Sequence, residues 1–581
     1  MKFEPAKLKT PPTIIKAEAI VVGGGAAGCL AAIKLAQSGY QVIVVEKADI
    51  RRSGCLAAGV NALNAYIGRG KVPQDYVDYA LADAHGIARR DLLLSIAERL
   101  NEQAAWLESA GLPILKDQDG RYAERSWRNV KINGENIKPL MAAAVAKTQG
   151  LNVLNRCRAT HLLSDGVTVY GVAAFSPENN LFYHLQAPAT IIATGGAAGL
   201  YRPNNHGSAP NRIWYCPFNT GAGLAMGIRA GAEMTTLEMR LVALRCRDTL
   251  APTGTLALGA GARQVNALGR PFEGDYGRTT SQRVLAWRRE TEAGRGPCRL
   301  AAEISADRRE ELYRAYLNMC PSQTLKWLEQ AGPEPRPESG IFAEVEGSEP
   351  YVQGGHVGGG FWIDTNRQTT LTGLWAVGDA AGGAPQKYVT GSMAEGVIAA
   401  EDAAQYLQDF GRPAVSQTDQ GRPQQLFQEA LTDLTAQLKP DQALAPGRPR
   451  LQARDLGLAL EKTMDLYAGG ISAGYRYSSS ELVMAATMVA ELANLADKLS
   501  ASSLFELSEI WELKERLTVA RSLIAHLESR KETRWPGFGE YSDYPQIDPE
   551  FECFVNSRLE DNELKVFRRP MTRNNTYEHH R

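Results

Sequence analysis

Three glycine-rich segments of this chain have residue types and spacing suited to wrapping a phosphate. The first is Gly23-x-Gly25-x-x-Gly28. Glycines so spaced permit a tight turn, a close backbone approach to a pyrophosphate, and close packing of a helix on a strand. A helix opening there aims unsatisfied N–H groups and the positive end of its dipole at the phosphates. Glu46 ends the next apolar run, where a carboxylate accepts a pair of ribose hydroxyls. The second and third segments are Ala193-Thr194-Gly195-Gly196 and Gly378-Asp379, each directly after a short apolar run. A nicotinamide dinucleotide needs no such return visits, whereas the longer FAD does, so FAD is the expected cofactor. Asp379 is expected beside the ribityl–pyrophosphate region, although an aspartate after glycine reads also as a helix N-cap. Gly391-Ser392, opening a helix ahead of Glu395-Gly396, would aim that helix's N-terminus at the flavin O2/N1 edge.

The elements that must position these residues are strands and helices in alternation. Residues 17–22 and 41–46 are short apolar runs of the buried parallel-strand kind, with a helix over 29–38 that stops at Gly39. Residues 189–193 and 374–377 have the same strand character, and helical spacing covers about 75–110 and 137–148. Near Arg247 the composition shifts toward Pro, Gly, Arg and Glu, and 247–350 reads as an inserted lid with a helical patch near 308–330. A Pro/Gly/Gln-rich connector follows residue 410, then amphipathic helices near 451–468, 480–499 and 503–529. Ser478 and Glu481 have the spacing of a capping box. The final stretch carries Trp535, Phe538, Tyr541, Tyr544, Phe551, Phe554, Phe567 and Tyr577, so it is expected to dock on the body or on a partner. The expected fold is α/β: a Rossmann-like FAD-binding domain with an inserted α+β capping domain and a C-terminal helical domain. The boundaries are 1–246 and 346–410 for the two parts of the FAD-binding domain, 247–345 for the cap, and 411–581 for the helical domain with its aromatic-rich tail.

Composition narrows the function classes. In 581 residues, 64 Lys plus Arg face 65 Asp plus Glu, and a net charge of −1 gives no footprint for nucleic acid or an anionic membrane. With 44% hydrophobic and 22% charged residues the chain is of globular type, and its length implies several structural units. The most apolar stretch, 17–36, contains three consecutive glycines and Lys34, so it reads as strand, turn and helix with no direct membrane insertion. The segment 1–13 lacks a signal-peptide pattern. None of the 8 cysteines pairs as CxxC, so no iron–sulfur or zinc site of usual spacing is expected. Scattered thiols suit a cytoplasmic protein.

At the level of longer blocks the chain resembles the flavoprotein subunits of the fumarate reductase/succinate dehydrogenase superfamily, and within it the adenylylsulfate reductase alpha-subunit family. The resemblance is carried by RSGCLAAGVNALNAYIG (52–68), KINGENIK (131–138), RIWYCPFNTGAGLAMGIRAGAEMTTLEMRLVALRCRD (212–248), EPYVQGGHVGGGFW (349–362) and RKETRWPGFGEYSDYP (530–545). Dicarboxylate reductases carry a flavin-linked His where this chain has Gly54, so the resemblance implies noncovalent FAD. They carry His-Pro-Thr after the Glu-Met pair, where this chain has Arg240-Leu-Val-Ala after Glu238-Met239. Their lid Arg and Glu align with Leu258 and Ala260, so the general acid for C=C reduction is missing and fumarate is disfavoured.

The cofactor set implied is Gly23, Gly25, Ala26, Ala27, Gly28, Glu46, Lys47, Ser53, Gly54, Thr194, Gly195, Gly196, Gly378, Asp379, Gly391, Ser392 and Glu395. The catalytic set implied is Arg245, His356, Trp214 and Asn64, with Leu258 and Glu135 toward the nucleoside. The family chemistry passes through a flavin N5–sulfite adduct between adenylylsulfate and AMP plus sulfite. It asks mainly for fixed positive charge and donors around sulfur–oxygen groups. Arg245 is a permanent planar cation, and His356 a donor of either charge state. Each residue has a plainer reading on its own: Arg245 a surface ion pair, Trp214 core, Asn64 a strand-end cap. Cys216 and Cys246 read as packing thiols. With no cluster ligands in the chain, the resemblance implies a ferredoxin-like beta subunit with two 4Fe-4S clusters, forming a heterodimer. Alternatives from the same residues are a paralogous reductase of another small anionic or sulfur-oxyanion substrate, and an electron-transfer flavin subunit without a substrate of its own.

Overall fold

A computed structural model describes residues 11–58, 60–126, 128–134, 136–204, 213, 215–247, 262–277, 279–301, 341–409, 421–439 and 451–571. Four-residue apolar runs build its central sheet. Ala19–Val22, Val42–Val45 and Ala189–Ile192 are buried at every position, as strands covered on both faces must be. With Leu374–Ala376 and Leu151–Leu154 they form a parallel sheet in the order Leu374–Ala376, Ala189–Ile192, Ala19–Val22, Val42–Val45, Leu151–Leu154. The register sets Ile20 beside Ile43 and Thr190 beside Leu374. All three glycine-rich turns therefore leave the carboxyl end of the sheet from neighbouring parallel strands.

The helix Ala26–Gln37 covers one face, and a Cβ at Gly28 would lie 2.0 Å from the Gly23 carbonyl oxygen. The long helix Tyr388–Asp409 crosses it closely enough that a Cβ at Gly396 would lie 2.3 Å from the Ala27 oxygen. Both sites therefore admit only glycine. The helical stretch near 75–110 is three helices, Pro73–Asp83, Arg90–Ala97 and Leu100–Ser109. The first break falls at His85 and Gly86, whose φ of 48° and 86° no helix accommodates.

Strands Leu244–Cys246, Ile341–Gly347, Arg299–Ala301 and Arg263–Val265 form an antiparallel sheet beside the helix Thr280–Glu290. The helical patch expected near 308–330 lies outside the described residues. Two expectations for the C-terminal part need correction. The connector after 410 contains a helix, Gly421–Ala436, with Leu426, Phe427, Ala430, Leu431 and Leu434 buried. Its Pro423 sits in the first turn, where the missing N–H is no loss. The second correction is a β-hairpin in the tail, Cys553–Glu560 with Glu563–Pro570. Asp561 and Asn562 at φ 49° and 63° make its two-residue turn, and both tolerate that conformation. The hairpin joins a sheet with Met234–Thr235 and Gly360–Phe361.

The helices Ala453–Tyr467, Ser479–Ala496 and Leu504–Ser529 lie near the expected spans. The capping box is formed: Glu481 N donates to Ser478 Oγ at 3.3 Å, and Ser478 N to Glu481 Oε2 at 2.7 Å. The aromatic tail docks on the body, with Trp535, Phe538, Tyr541 and Phe554 buried and Trp535 Nε1 donating to the Ala84 oxygen. Among the described residues no helix is long and apolar enough to cross a membrane.

The helix Gly421–Ala436 is attached through a stack of Phe427 on His184, ring centroids 4.4 Å apart and planes at 3°. Burial, helped by the Lys16 charge, pushes the His184 pKa down to about 4, against a hydrogen bond that the protonated ring donates to Gln424. The unfolded chain therefore takes the proton first, and the stability is complete above about pH 6.5 and lost toward pH 4. In thermal melts at pH 7.5 and pH 5, His184→Phe is expected to lose less melting temperature on acidification than the wild type. Equal losses would show that His184 carries no such linkage.

Candidate functional site

The three glycine turns open on one cavity of about 780 Å³. Its walls include Gly23, Gly25, Ala26 and Ala27 from the first turn, and Glu46 and Lys47 from the end of the next strand. Ser53, Gly54 and Asn64 line a second side, Thr194 and Gly195 a third, and Gly378, Asp379 and Ser392 a fourth. His356 also reaches the wall, with Thr280, Arg283 and Val284 contributed by the helix Thr280–Glu290.

Gly23 lets the first turn pack directly on the second, since a Cβ there would lie 2.5 Å from the Ala193 oxygen. Glu46 spans two walls: Oε2 accepts from Gly24 N at 2.8 Å and Ser53 Oγ at 3.0 Å, and Oε1 from Ala48 N at 2.7 Å. A carboxylate fixed beside a glycine turn at a helix N-terminus fits the ribose–pyrophosphate part of FAD. Lys47 donates to the Phe218 oxygen and to Glu512 Oε1 at 3.1 Å, so the helix Leu504–Ser529 closes the rim. Asp379 Oδ2 accepts from the Tyr215 hydroxyl at 2.5 Å, which in turn accepts from Gly196 N at 3.0 Å. Burial raises the Asp379 pKa, with the Tyr215 bond and the Lys387 charge opposing.

Four of the expected cofactor residues stand behind the wall. Gly28 serves helix packing, and a Cβ at Gly196 would meet the Val352 oxygen at 2.3 Å. The helix expected to open at Gly391-Ser392 begins at Tyr388 instead, so Gly391 lies within it against Lys387 and Ile96. Gln386 and Tyr388, at φ 65° and 52°, turn the chain into that helix. Ser392 Oγ donates to the Tyr388 oxygen at 2.6 Å. Glu395 is fully buried; its Oε2 accepts from Gly378 N at 2.8 Å and Lys387 Nζ at 3.0 Å.

His356 and Asn64 meet the same cavity. A Cβ at Gly354 or Gly355 would sit 1.8 Å from the Ala381 oxygen or from Asp379 Oδ1. The glycines thus let the His356 loop press onto the Gly378 turn. The His356 N–H donates to Gln353 Oε1 at 2.8 Å, and its ring stands edge-on to Tyr388 at 4.6 Å. Burial, then the Arg128 charge, push its pKa down to about 4, so the imidazole is neutral at neutral pH. Asn64 is held through its carbonyl by Thr390 Oγ1 at 2.8 Å.

Arg245 is not brought to this wall, where its neighbours Ala243 and Leu244 stand instead. It is fully buried, with Nε donating to Glu346 Oε1 at 3.1 Å, Nη1 to Glu349 Oε2 at 3.4 Å, and Nη2 to Asn204. Its ion pairs are thus buried, where the plainer reading placed them at the surface. Trp214, Leu258 and Glu135 lie outside the described residues. Sequence reasoning missed Arg128 and Arg283, both on the wall. Arg128 directly precedes the strand Asn129–Gly134, in no motif that would mark it. Cys55 and Cys216 also line the cavity, and burial raises the Cys216 thiol pKa, which suits a packing thiol.

Removing the Glu395 charge leaves Lys387 buried without its carboxylate, a change that costs about 3–5 kcal/mol. Glu395→Gln is expected to lower the melting temperature and shed the cofactor on gel filtration, while Glu395→Gln with Lys387→Met recovers part of the melting temperature, because buried Arg367, 3.7 Å from Glu395 Oε1, keeps its charge. A single variant as stable as the wild type would sink that account.

The FAD binding domain family matches residues 18–392. Adenylylsulfate reductase subunit alpha of Megalodesulfovibrio gigas is 27% identical over 95% of each chain. The structure of adenylylsulfate reductase from Archaeoglobus fulgidus is 30% identical, covers 99% of each chain, and superposes with a TM-score of 0.87. The same values hold for adenosine-5-phosphosulfate reductase in complex with sulfite as a covalent adduct. The chain binds FAD and is an FAD-dependent oxidoreductase: it belongs to the FAD binding domain family, and along its whole length it is similar to adenylylsulfate reductase alpha subunits.

Proposed function

We propose that the reaction interconverts adenylylsulfate with AMP plus sulfite. The observation that carries this reading is the likeness, over 99% of both chains, to a reductase whose structure holds sulfite as a covalent adduct. When bound, FAD supplies the two-electron chemistry. The chain's own residues bind and orient. Neutral His356 offers a hydrogen bond at the wall without adding a charge that would titrate near neutral pH. Asn64 lies on the same wall as a neutral donor. Trp214, Leu258 and Glu135 are retained as proposed nucleoside and sulfur-group contacts, and the domain boundaries given above as the proposed division. Gly54, with positive φ and open space beside it, offers no nucleophile to a flavin, which supports noncovalent retention.

The similar M. gigas protein is an alpha subunit, which supports a second subunit that delivers electrons, proposed as ferredoxin-like with 4Fe-4S clusters. The seven described cysteines are all free thiols, in keeping with a reducing, cytoplasmic setting.

Titration of the oxidised holoprotein with sulfite, followed by assay with AMP and ferricyanide, tests the substrate. Bleaching of the flavin band and AMP-dependent turnover are expected. Bleaching without AMP dependence would point to another sulfur oxyanion, and neither response would leave an electron-transfer subunit. His356→Ala is expected to lower kcat/KM by about a hundredfold, the scale for losing one preorganised donor. The wild-type profile should show no break near pH 6.5, because His356 stays neutral down to about pH 4. A break there that vanishes in the variant would refute the neutral assignment.

A further inference from the structure

Lys138 stands in the first turn of the helix Ile137–Lys147 and is fully buried. Both placements are unfavourable for an ammonium. The first turn is the positive end of the helix dipole, where a carboxylate is preferred. A charge taken out of water is destabilising unless an opposite charge meets it. Among the described residues no carboxylate lies within 4.0 Å of the Lys138 ammonium. Its partners are the Gly24 carbonyl oxygen, to which Nζ donates, and the Cys29 sulfur at 3.8 Å. Burial raises the Cys29 thiol pKa, and the Lys138 charge opposes that rise. Glu46 also acts on Cys29, but its carboxylate is hydrogen-bonded to Gly24 N, Ala48 N and Ser53 Oγ.

What the ammonium holds is the first glycine turn. Gly24 is gripped at both ends: its carbonyl by Lys138 and by the Cys29 thiol at 3.3 Å, its N–H by Glu46 Oε2 at 2.8 Å. The Gly24–Gly25 peptide is trans, so its N–H, which belongs to Gly25, points opposite to that carbonyl. The carbonyl faces the buried ammonium, and Gly25 lines the cavity. The Gly25 N–H is thereby turned to the side where a pyrophosphate lies in a turn of this kind. A hydrogen bond from a cation to the carbonyl also polarises the N–H of the same peptide. The segment Gly23–Gly28 carries no charged side chain of its own. Without Lys138 the turn has only the partial charge of a helix N-terminus.

We propose that Lys138 is a positioning residue for the FAD pyrophosphate: from behind the turn it fixes the Gly24–Gly25 peptide with its N–H toward the cavity and supplies the positive charge that the turn lacks. The cation unfavourably buried in the FAD-free protein meets its counter-charge, one peptide away, when the cofactor binds. The inference rests on FAD binding alone and is independent of the substrate.

The test compares the full chain stripped of FAD with the FAD-loaded protein, in thermal melts and in a fluorescence titration with FAD. Lys138→Met is expected to raise the FAD Kd at least about tenfold, as loss of a charged hydrogen-bond donor implies. The two melts should move in different ways. The FAD-free variant should melt no lower than the FAD-free wild type, because an unpaired buried charge is gone. The FAD-loaded variant should melt below its wild-type counterpart, since a ligand stabilises in proportion to its affinity. Wild-type FAD affinity in Lys138→Met overturns the proposal. So does a FAD-free melting temperature that falls as far as the FAD-loaded one, the mark of a residue that merely packs. If Lys138→Met gives no folded protein, Lys138→Gln, which keeps a donor and loses the charge, is read by the same titration: weaker FAD binding supports the assignment and unchanged binding overturns it.

Discussion

A buried ion pair organises this site. Lys387 and Glu395 are both fully buried, and the ammonium spreads its donors over Glu395 and the carbonyls of Gly378 and Ala381, at 3.0, 2.8 and 2.8 Å. Glu395 also takes the Gly378 amide. One pair of charges thus locks the third glycine turn to the entry of the long helix. The next residue, Gly396, is where that helix touches the backbone of the first one. The loop of His356 then packs on the locked turn through Gly354 and Gly355. Burying such a pair costs desolvation that hydrophobic residues would avoid. Here it fixes the relative placement of three walls that arrive from distant parts of the chain.

Charge inside the cavity is handled by the same economy of pairing. Lys47 and Arg158 meet Glu512, and Arg158 also meets Glu515, whose Oε2 accepts from Thr220. Glu46 is held in place by backbone amides and Ser53. His356 is neutral because burial and a nearby guanidinium both oppose its proton. Around the cavity Lys47, Arg158 and Glu46 are thus held by protein partners, and His356 is neutral.

Much of this was legible in the sequence, for a physical reason. A buried parallel strand is a short, wholly apolar run and a phosphate turn needs glycine, so local signals sufficed for the three turns and for Glu46. What was not legible depended on distant partners. Arg245 has the type of an oxyanion ligand, but Glu346 and Glu349 lie 101 and 104 positions away. Arg128 owes its placement to Tyr79 and Gln386, 49 and 258 positions away. The helix Gly421–Ala436 was hidden by its Pro and Gln content, although Leu426, Phe427, Ala430, Leu431 and Leu434 keep helical spacing. The start of the long helix was misplaced because Gln386 and Tyr388 adopt positive φ without being glycine.

The terminal hairpin bears on how such a chain is made. Its strand Cys553–Glu560 pairs with Met234–Thr235, and Arg569 closes on buried Glu233 at 2.5 and 2.8 Å. A chain emerging from the ribosome has its nucleotide turns early, whereas Met234–Thr235 gains this partner only once residues 553–560 have been made. Domains commonly fold in order of synthesis. A chain clipped before residue 553 would leave one edge of Met234–Thr235 unpaired and the buried Glu233 without Arg569, both marks that quality control can find.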